Sequence, residues 1–232
     1  MRKIYGKVLL LVLFLLPVTN LTAQESEKKS GRGPISIFIN GGLGGLSGSG
    51  EVTASGTKVG DVTDAKLGIT KIGLGASYSH PVNEMLSIGA LLELRLLINK
   101  IEGKVQNGSF TINFSDGQVL GFGVSFGPYF RLGLWGTDKQ GGLGLAPYIA
   151  INSLRGEIKG KNASLSLEYT EEALLNIGGG LLLDIFFTNM FGIHLGLELE
   201  GTTAKVTDDQ GVWTAEAPLF GAIFYGGVSV SF

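Results

Sequence analysis

Ala217–Phe232 reads APLFGAIFYGGVSVSF, and the sequence ends there on an aromatic residue. Counting back in twos from the end gives Phe232, Val230, Val228, Gly226, Phe224, Ala222 and Phe220, a set without a polar side chain. The intervening set is Ser231, Ser229, Gly227, Tyr225, Ile223 and Gly221, mostly small or hydroxylated toward the terminus. Successive side chains of a strand point to opposite faces. The stretch is therefore a strand with one oily face and one smaller, mixed face.

Working outward, seven earlier segments repeat this pattern: Pro34–Leu43, Lys66–Ser79, Met85–Lys100, Gln118–Trp135, Gly142–Ser153, Ala173–Phe187 and Met190–Glu200. The clearest is Gln118–Trp135. Leu120, Phe122, Val124, Phe126, Pro128, Phe130, Leu132 and Leu134 fill one face, and Gly121, Gly123, Ser125, Gly127, Tyr129, Arg131 and Gly133 the other. A strand against a single protein core has no use for eight apolar positions in succession. Met85–Lys100 also admits a helix, because LLELRLL at Leu91–Leu97 holds good helix formers. Glu93 and Arg95 stand two apart, on one strand face, which favours the strand.

The connections alternate in length. Gly48–Ala65, Ile101–Gly117, Leu154–Glu172 and Gly201–Glu216 are long and polar, and are expected to be loops. His80–Glu84, Gly136–Gly141 and Thr188–Asn189 are short turns. An even number of strands, with short turns at one end and long connections at the other, is the plan of a transmembrane barrel of the bacterial outer membrane. Both termini then lie at the short-turn, periplasmic end. The fold expected is all-β, an eight-stranded antiparallel up-and-down transmembrane β-barrel over residues 34–232. A sandwich of eight strands does not call for this rhythm.

Composition agrees. The 38 glycines among 232 residues more than double the usual share of about 7%, and charged residues, at 16%, fall below the usual ~25%. Mean hydropathy is +0.30. A net charge of −2 argues against a nucleic-acid partner. Without cysteine there is no disulfide framework, no thiolate metal site and no lipid-modified amino terminus. Residues 1–23 read as a cleavable signal peptide: Arg2, Lys3 and Lys7 precede an apolar Val8–Leu16 too short to span a bilayer, then Pro17 and Ala23. Gln24–Gly33 is a charged, disordered lead without apolar period.

Every Lys, Arg, Asp and Glu inside the seven earlier segments is expected on the mixed face, among them Lys71, Glu93, Arg95, Arg131, Asp184, Glu198 and Glu200, with His194 beside them. An Arg or Lys on the lipid face near mid-bilayer would cost about 2–4 kcal/mol. The oily faces therefore point to hydrocarbon. Tyr78, Trp135, Phe187, Phe191 and Phe232 sit at the short-turn ends, where aromatic rings suit a headgroup boundary.

With these features in place, the chain resembles the small eight-stranded outer-membrane barrels, the OmpA-like, OmpX-like and opacity-protein group. The resemblance covers nearly all of 34–232 and is architectural. It implies residence in the bacterial outer membrane after export through the periplasm, contact with outer-membrane lipid, and delivery by the barrel assembly machinery. The machinery's terminal signal maps onto Tyr225, Val228, Val230 and Phe232.

Candidate chemistry lies on the inward face. Glu93, Arg95, Arg131, Asp184, Glu198 and Glu200 form either an ion-paired plug with Tyr129 and Tyr148 or a narrow polar conduit. Interiors of eight-stranded barrels are normally filled by side chains, which favours the plug. His194 and Glu198 share a face, but no strand-borne serine stands beside them to complete a catalytic group. The Gly-x-Gly pairs lack the third glycine and the helix of a phosphate cradle. No enzyme activity, cofactor or metal is expected. The expected role is a structural or interaction scaffold whose loops bind or adhere outside the cell. A small-solute channel is the alternative, and a lipid-modifying enzyme a third class. Phe110, Phe114, Tyr169 and Trp213 are the loop aromatics available to a ligand.

Overall fold

The structure, a computed structural model, describes residues 34–107, 110–135, 141–160, 166–188, 190–207 and 212–232. The expected signal peptide and lead lie outside the described residues, as do 136–140 of one short turn and the side chains of Trp135, Phe110, Tyr169 and Trp213.

Eight strands follow in chain order: β1 (Ile35–Ala54), β2 (Thr57–Pro81), β3 (Leu86–Asn107), β4 (Phe110–Trp135), β5 (Gly141–Gly160), β6 (Ser166–Phe186), β7 (Phe191–Thr207) and β8 (Trp213–Ser231). Each pairs antiparallel with its sequence neighbours, and β8 returns to β1, closing the barrel. At the seam Phe232 N donates to Ile35 O at 2.8 Å, and the Ser36 and Ser231 hydroxyls lie 2.7 Å apart. Closure matters because hydrocarbon offers no partner to a free strand edge, each lost bond costing several kcal/mol. Met85–Lys100 is strand, not helix.

The four long connections are not loops, which corrects the expectation. β1 runs on to Ala54 and β2 starts at Thr57, so Gly48–Ala65 is almost wholly paired. Only Ser55 and Gly56 turn, both with positive φ (50° and 79°), as a two-residue type I′ hairpin demands. Ile101–Gly117, Leu154–Glu172 and Gly201–Glu216 are likewise largely taken up by β3/β4, β5/β6 and β7/β8. The strands reach 17–26 residues. A tilted transmembrane strand needs about 9–11. The barrel wall therefore continues well past a bilayer.

Side-chain chemistry inverts along that length. At the short-turn half, outward positions are large and apolar: Leu43 (66% exposed), Phe122 (70%), Phe224 (66%), with Leu74, Leu94, Ile149, Ile177 and Leu199. Further on, the outward rows turn polar at Lys66, Lys100, Gln118, Ser153, Thr203 and Glu216. Lys66 and Lys100, at the ends of their expected segments, face outward rather than to the mixed side, which corrects the expectation that every charge lies there: they stand at the edge of the oily belt, where the outer surface turns polar. Inward positions change in the opposite sense. Below this edge they are largely polar. Above it they form an apolar core of Leu46, Val52, Val62, Leu67, Val119, Leu154, Leu174, Leu219 and Ile223, among others. The lower half is built for lipid outside and polar groups inside. The upper half is built as a barrel in water, with its oil inside.

One seam is shorter than the rest. β6 and β7 pair only from Phe186↔Gly192 to Asn176↔Thr202. Beyond that point β6 stays with β5 and β7 with β8. Thr202 Oγ1 donates to Leu175 O at 3.0 Å where the strands part.

Candidate functional site

The lower lumen is crossed by one buried charge network. β3 and β7 stand on opposite walls of the ring, and each turns two charges inward at i, i+2: Glu93 and Arg95, Glu198 and Glu200. Arg95 Nη1 donates to Glu200 Oε2 at 2.8 Å, its Nε to Glu93 Oε2 at 3.0 Å, and Nη2 lies 3.6 Å from Glu198 Oε2. Lys71 of β2, fully buried, sets Nζ 2.7 Å from Glu198 Oε1 and 3.3 Å from Glu93 Oε1.

Three carboxylates face two cations, and neutral donors make up the difference. Asn40 Nδ2 donates to Glu93 Oε1 at 2.8 Å and Ser125 Oγ to Glu93 Oε2 at 3.3 Å. Tyr148 donates to Glu200 Oε2 at 2.6 Å, and Asn176 also donates to Glu200. Both cations also lie over aromatic rings, Arg95 at 4.4 Å from the Tyr148 centroid and Lys71 at 4.8 Å from that of Tyr225. Buried charges are tolerable only when paired and hydrogen-bonded in this way.

Of the six charges singled out from the sequence, Glu93, Arg95, Glu198 and Glu200 meet in this network. Arg131 and Asp184 form a separate group nearer the short turns. Arg131 Nε is 3.4 Å from Asp184 Oδ2, and Tyr129 donates to the same oxygen at 2.8 Å. Lys71 was placed inward but not in the network, and Asn40 and Asn176 were missed as its donors. Their signal was present: each is a polar residue at an inward position of an otherwise apolar or glycine-rich strand.

His194 lies inward, opposite Asp184 in the β6–β7 register. It packs edge-on to Phe38, centroids 5.5 Å apart, and against Tyr225 at 6.0 Å. Its buried Nε2 has no hydrogen-bond partner, so among the described residues no hydroxyl is poised against that nitrogen. Glu198, its companion in a catalytic reading, is engaged by Lys71. No group of His, Asp and Glu among the described residues could hold a metal ion. What void remains beside the network is about 30 Å³. That is room for a water molecule or two.

The terminal residues divide between faces. Val228 and Phe232 point outward, exposed, with Val230 half-buried on the same side, and Tyr225 points inward. Phe187, Phe191 and Phe232 are exposed at the short-turn end.

No protein-family model matches the sequence, and no curated protein matches it. Solved structures do. The outer membrane protein OprG from Pseudomonas aeruginosa superposes with a TM-score of 0.56 at 11% identity, over 87% of this chain and 97% of that one. The outer membrane protease OmpT from Escherichia coli gives 0.51 at 8% identity, over 85% and 96%. At these identities the likeness is one of fold: this chain is built as bacterial outer-membrane β-barrels are.

Proposed function

We propose that this chain, a barrel with the fold of bacterial outer-membrane proteins, is a sealed membrane scaffold that presents rigid β-hairpins to the cell exterior. The observation that carries this is the network joining Lys71, Glu93, Arg95, Glu198 and Glu200 across the lumen. A five-charge cluster held by neutral donors blocks the bore at the level of the lipid belt and costs several kcal/mol to break. The hairpins above the belt are the surface a partner meets. They are stiffer than loops and lose less entropy on binding.

Export through the periplasm by residues 1–23, lipid contact along the oily belt, and recognition of the terminal strand by assembly machinery complete the proposal. In that strand Val228, Val230 and Phe232 offer one face to the machinery while Tyr225 anchors the other inside the barrel. Enzyme activity forms no part of it. A narrow channel is the second reading, favoured by the 30 Å³ void beside the network. Planar-bilayer recording separates the two. A scaffold gives no single-channel steps; steady steps that change with Glu93→Gln or Arg95→Gln would replace it with the channel.

A further inference from the structure

We propose that the recess beside the charge network is a binding site for one small monovalent metal cation, of the size of sodium. Among the described residues the network is one positive charge short, with Glu93, Glu198 and Glu200 facing Lys71 and Arg95. A proton on one of the carboxylates does not mend this. Each of their six oxygens already faces a donor, from Asn40, Lys71, Arg95, Ser125, Tyr148 or Asn176. An added proton would set donor against donor.

The compensating charge belongs instead where acceptors lie idle. The recess, about 30 Å³, sits on the short-turn side of the network, and its lining includes Asn40, Ser229, His194, Glu93 and Glu198. Asn40 Oδ1, Ser229 Oγ and His194 Nε2 are buried without a hydrogen-bond partner, on residues only 3–6% exposed. For Asn40 the assignment is forced: its amide nitrogen is taken by Glu93 Oε1, and the oxygen is what remains. Water would satisfy such atoms but adds no charge. Hard cations take amide and carboxylate oxygens together with water. The recess offers the first two and has room for an ion and a water. This is not a cluster of His, Asp and Glu around a metal, since its idle atoms come from neutral side chains. Arg95 also borders the recess, but its nitrogens are directed at Glu93, Glu198 and Glu200. A deficit of one charge calls for a monovalent ion rather than calcium.

The test is NMR of the full-length protein refolded into phosphatidylcholine nanodiscs in sodium chloride or, at equal ionic strength, in choline chloride, whose cation is too large for the recess. The His194 Cε1–H and Asn40 side-chain amide resonances should shift saturably with sodium and stay fixed in choline. His80, the other histidine, is exposed near a short turn and should not respond. Ser229→Ala should weaken the apparent sodium affinity at least about tenfold. Glu200→Gln, outside the recess, leaves two carboxylates on two cations and should abolish the response. Heat-modifiable gel mobility checks that both variants form the barrel. The response is read independently of conductance, so channel steps would unseat the sealed scaffold without touching this site. Equal shifts in sodium and choline would reduce the effect to ionic strength and overturn the proposal. So would an unaltered affinity in Ser229→Ala or a response kept by Glu200→Gln. A His194 resonance indifferent to sodium would also overturn it, and an imidazolium signature in mildly alkaline buffer would then assign the balancing charge to that ring.

Discussion

Lys71 of β2 and Glu198 of β7 meet across the lumen, Nζ to Oε1 2.7 Å, the lysine fully buried and the glutamate nearly so. Among the described residues, without Lys71, Glu198 keeps only Arg95 as a cation, at 3.6 Å; without Glu198, Lys71 keeps only Glu93 as a carboxylate, at 3.3 Å. Lys71→Met is expected to destabilise the barrel by about 3–5 kcal/mol, because it leaves Glu93 and Glu198 buried with one cation fewer. Lys71→Met with Glu198→Gln removes one charge of each sign and should lose clearly less than Lys71→Met alone. Urea unfolding in vesicles measures both. Equal losses would mean that the pair is not the unit of stability.

Gly196 and Tyr225 face each other in the β7–β8 register, and the tyrosine ring occupies the space a side chain at 196 would need. Gly196→Val should cost about 1–3 kcal/mol by overpacking. In Tyr225→Ala the same substitution should cost little, which a double-mutant cycle reads as coupling. Additive losses would place the ring elsewhere.

The inverted upper barrel behaves as a core in water. Leu219→Ala, inward and buried, is expected to lose about 2–5 kcal/mol. Glu102→Gln, on the outer face at a comparable height, should stay within about 0.5 kcal/mol. Equilibrium unfolding checks the contrast, and similar values at the two positions would argue against an apolar interior there.

Asp64 and Lys104 pair in the open on the extended hairpins, Lys104 Nζ 2.8 Å from Asp64 Oδ2. The hydrogen bond from Lys104, and then its charge, hold the Asp64 carboxyl below its ordinary value. A carboxyl depressed in the folded state lends stability above its unfolded value and loses it as pH falls through the lowered one. An NMR pH titration of Asp64 should show this depression, and Lys104→Met should return it to the ordinary carboxylate range. The thermal midpoint should scarcely move, since exposed pairs contribute little.

The eight strands, their order and their two faces were legible in the sequence wherever the outward row was oily. Gln118–Trp135 needed nothing but period two. The extensions were not recognised, because the apolar row changes sides. In β3 the even positions Leu94, Leu96 and Ile98 are oily, and from Lys100 the odd positions Ile101 and Val105 take over. Alternation persists through Lys100–Gln106, but its hydrophobic phase is reversed, so it passes for a polar loop when only the lipid-facing row is followed. Membership of the charge network was legible as inward polarity. Its partners were not, because Lys71, Glu93 and Glu198 come from three strands far apart in sequence. Only the closed register brings them together. The split of β6 from β7 left no signal in composition that distinguishes it from the other seams.

The central claim is that lipid covers the barrel only as far as the row where its chemistry inverts. The chain has no cysteine, so single cysteines carrying a spin label can be placed along the outward row of β3 without background. In vesicles, labels at Leu94, Leu96 and Ile98 should relax strongly with oxygen and weakly with an aqueous nickel chelate, and labels at Glu102 and Lys104 should show the reverse. Nickel accessibility along the whole row, from Leu94 to Lys104, would contradict the account.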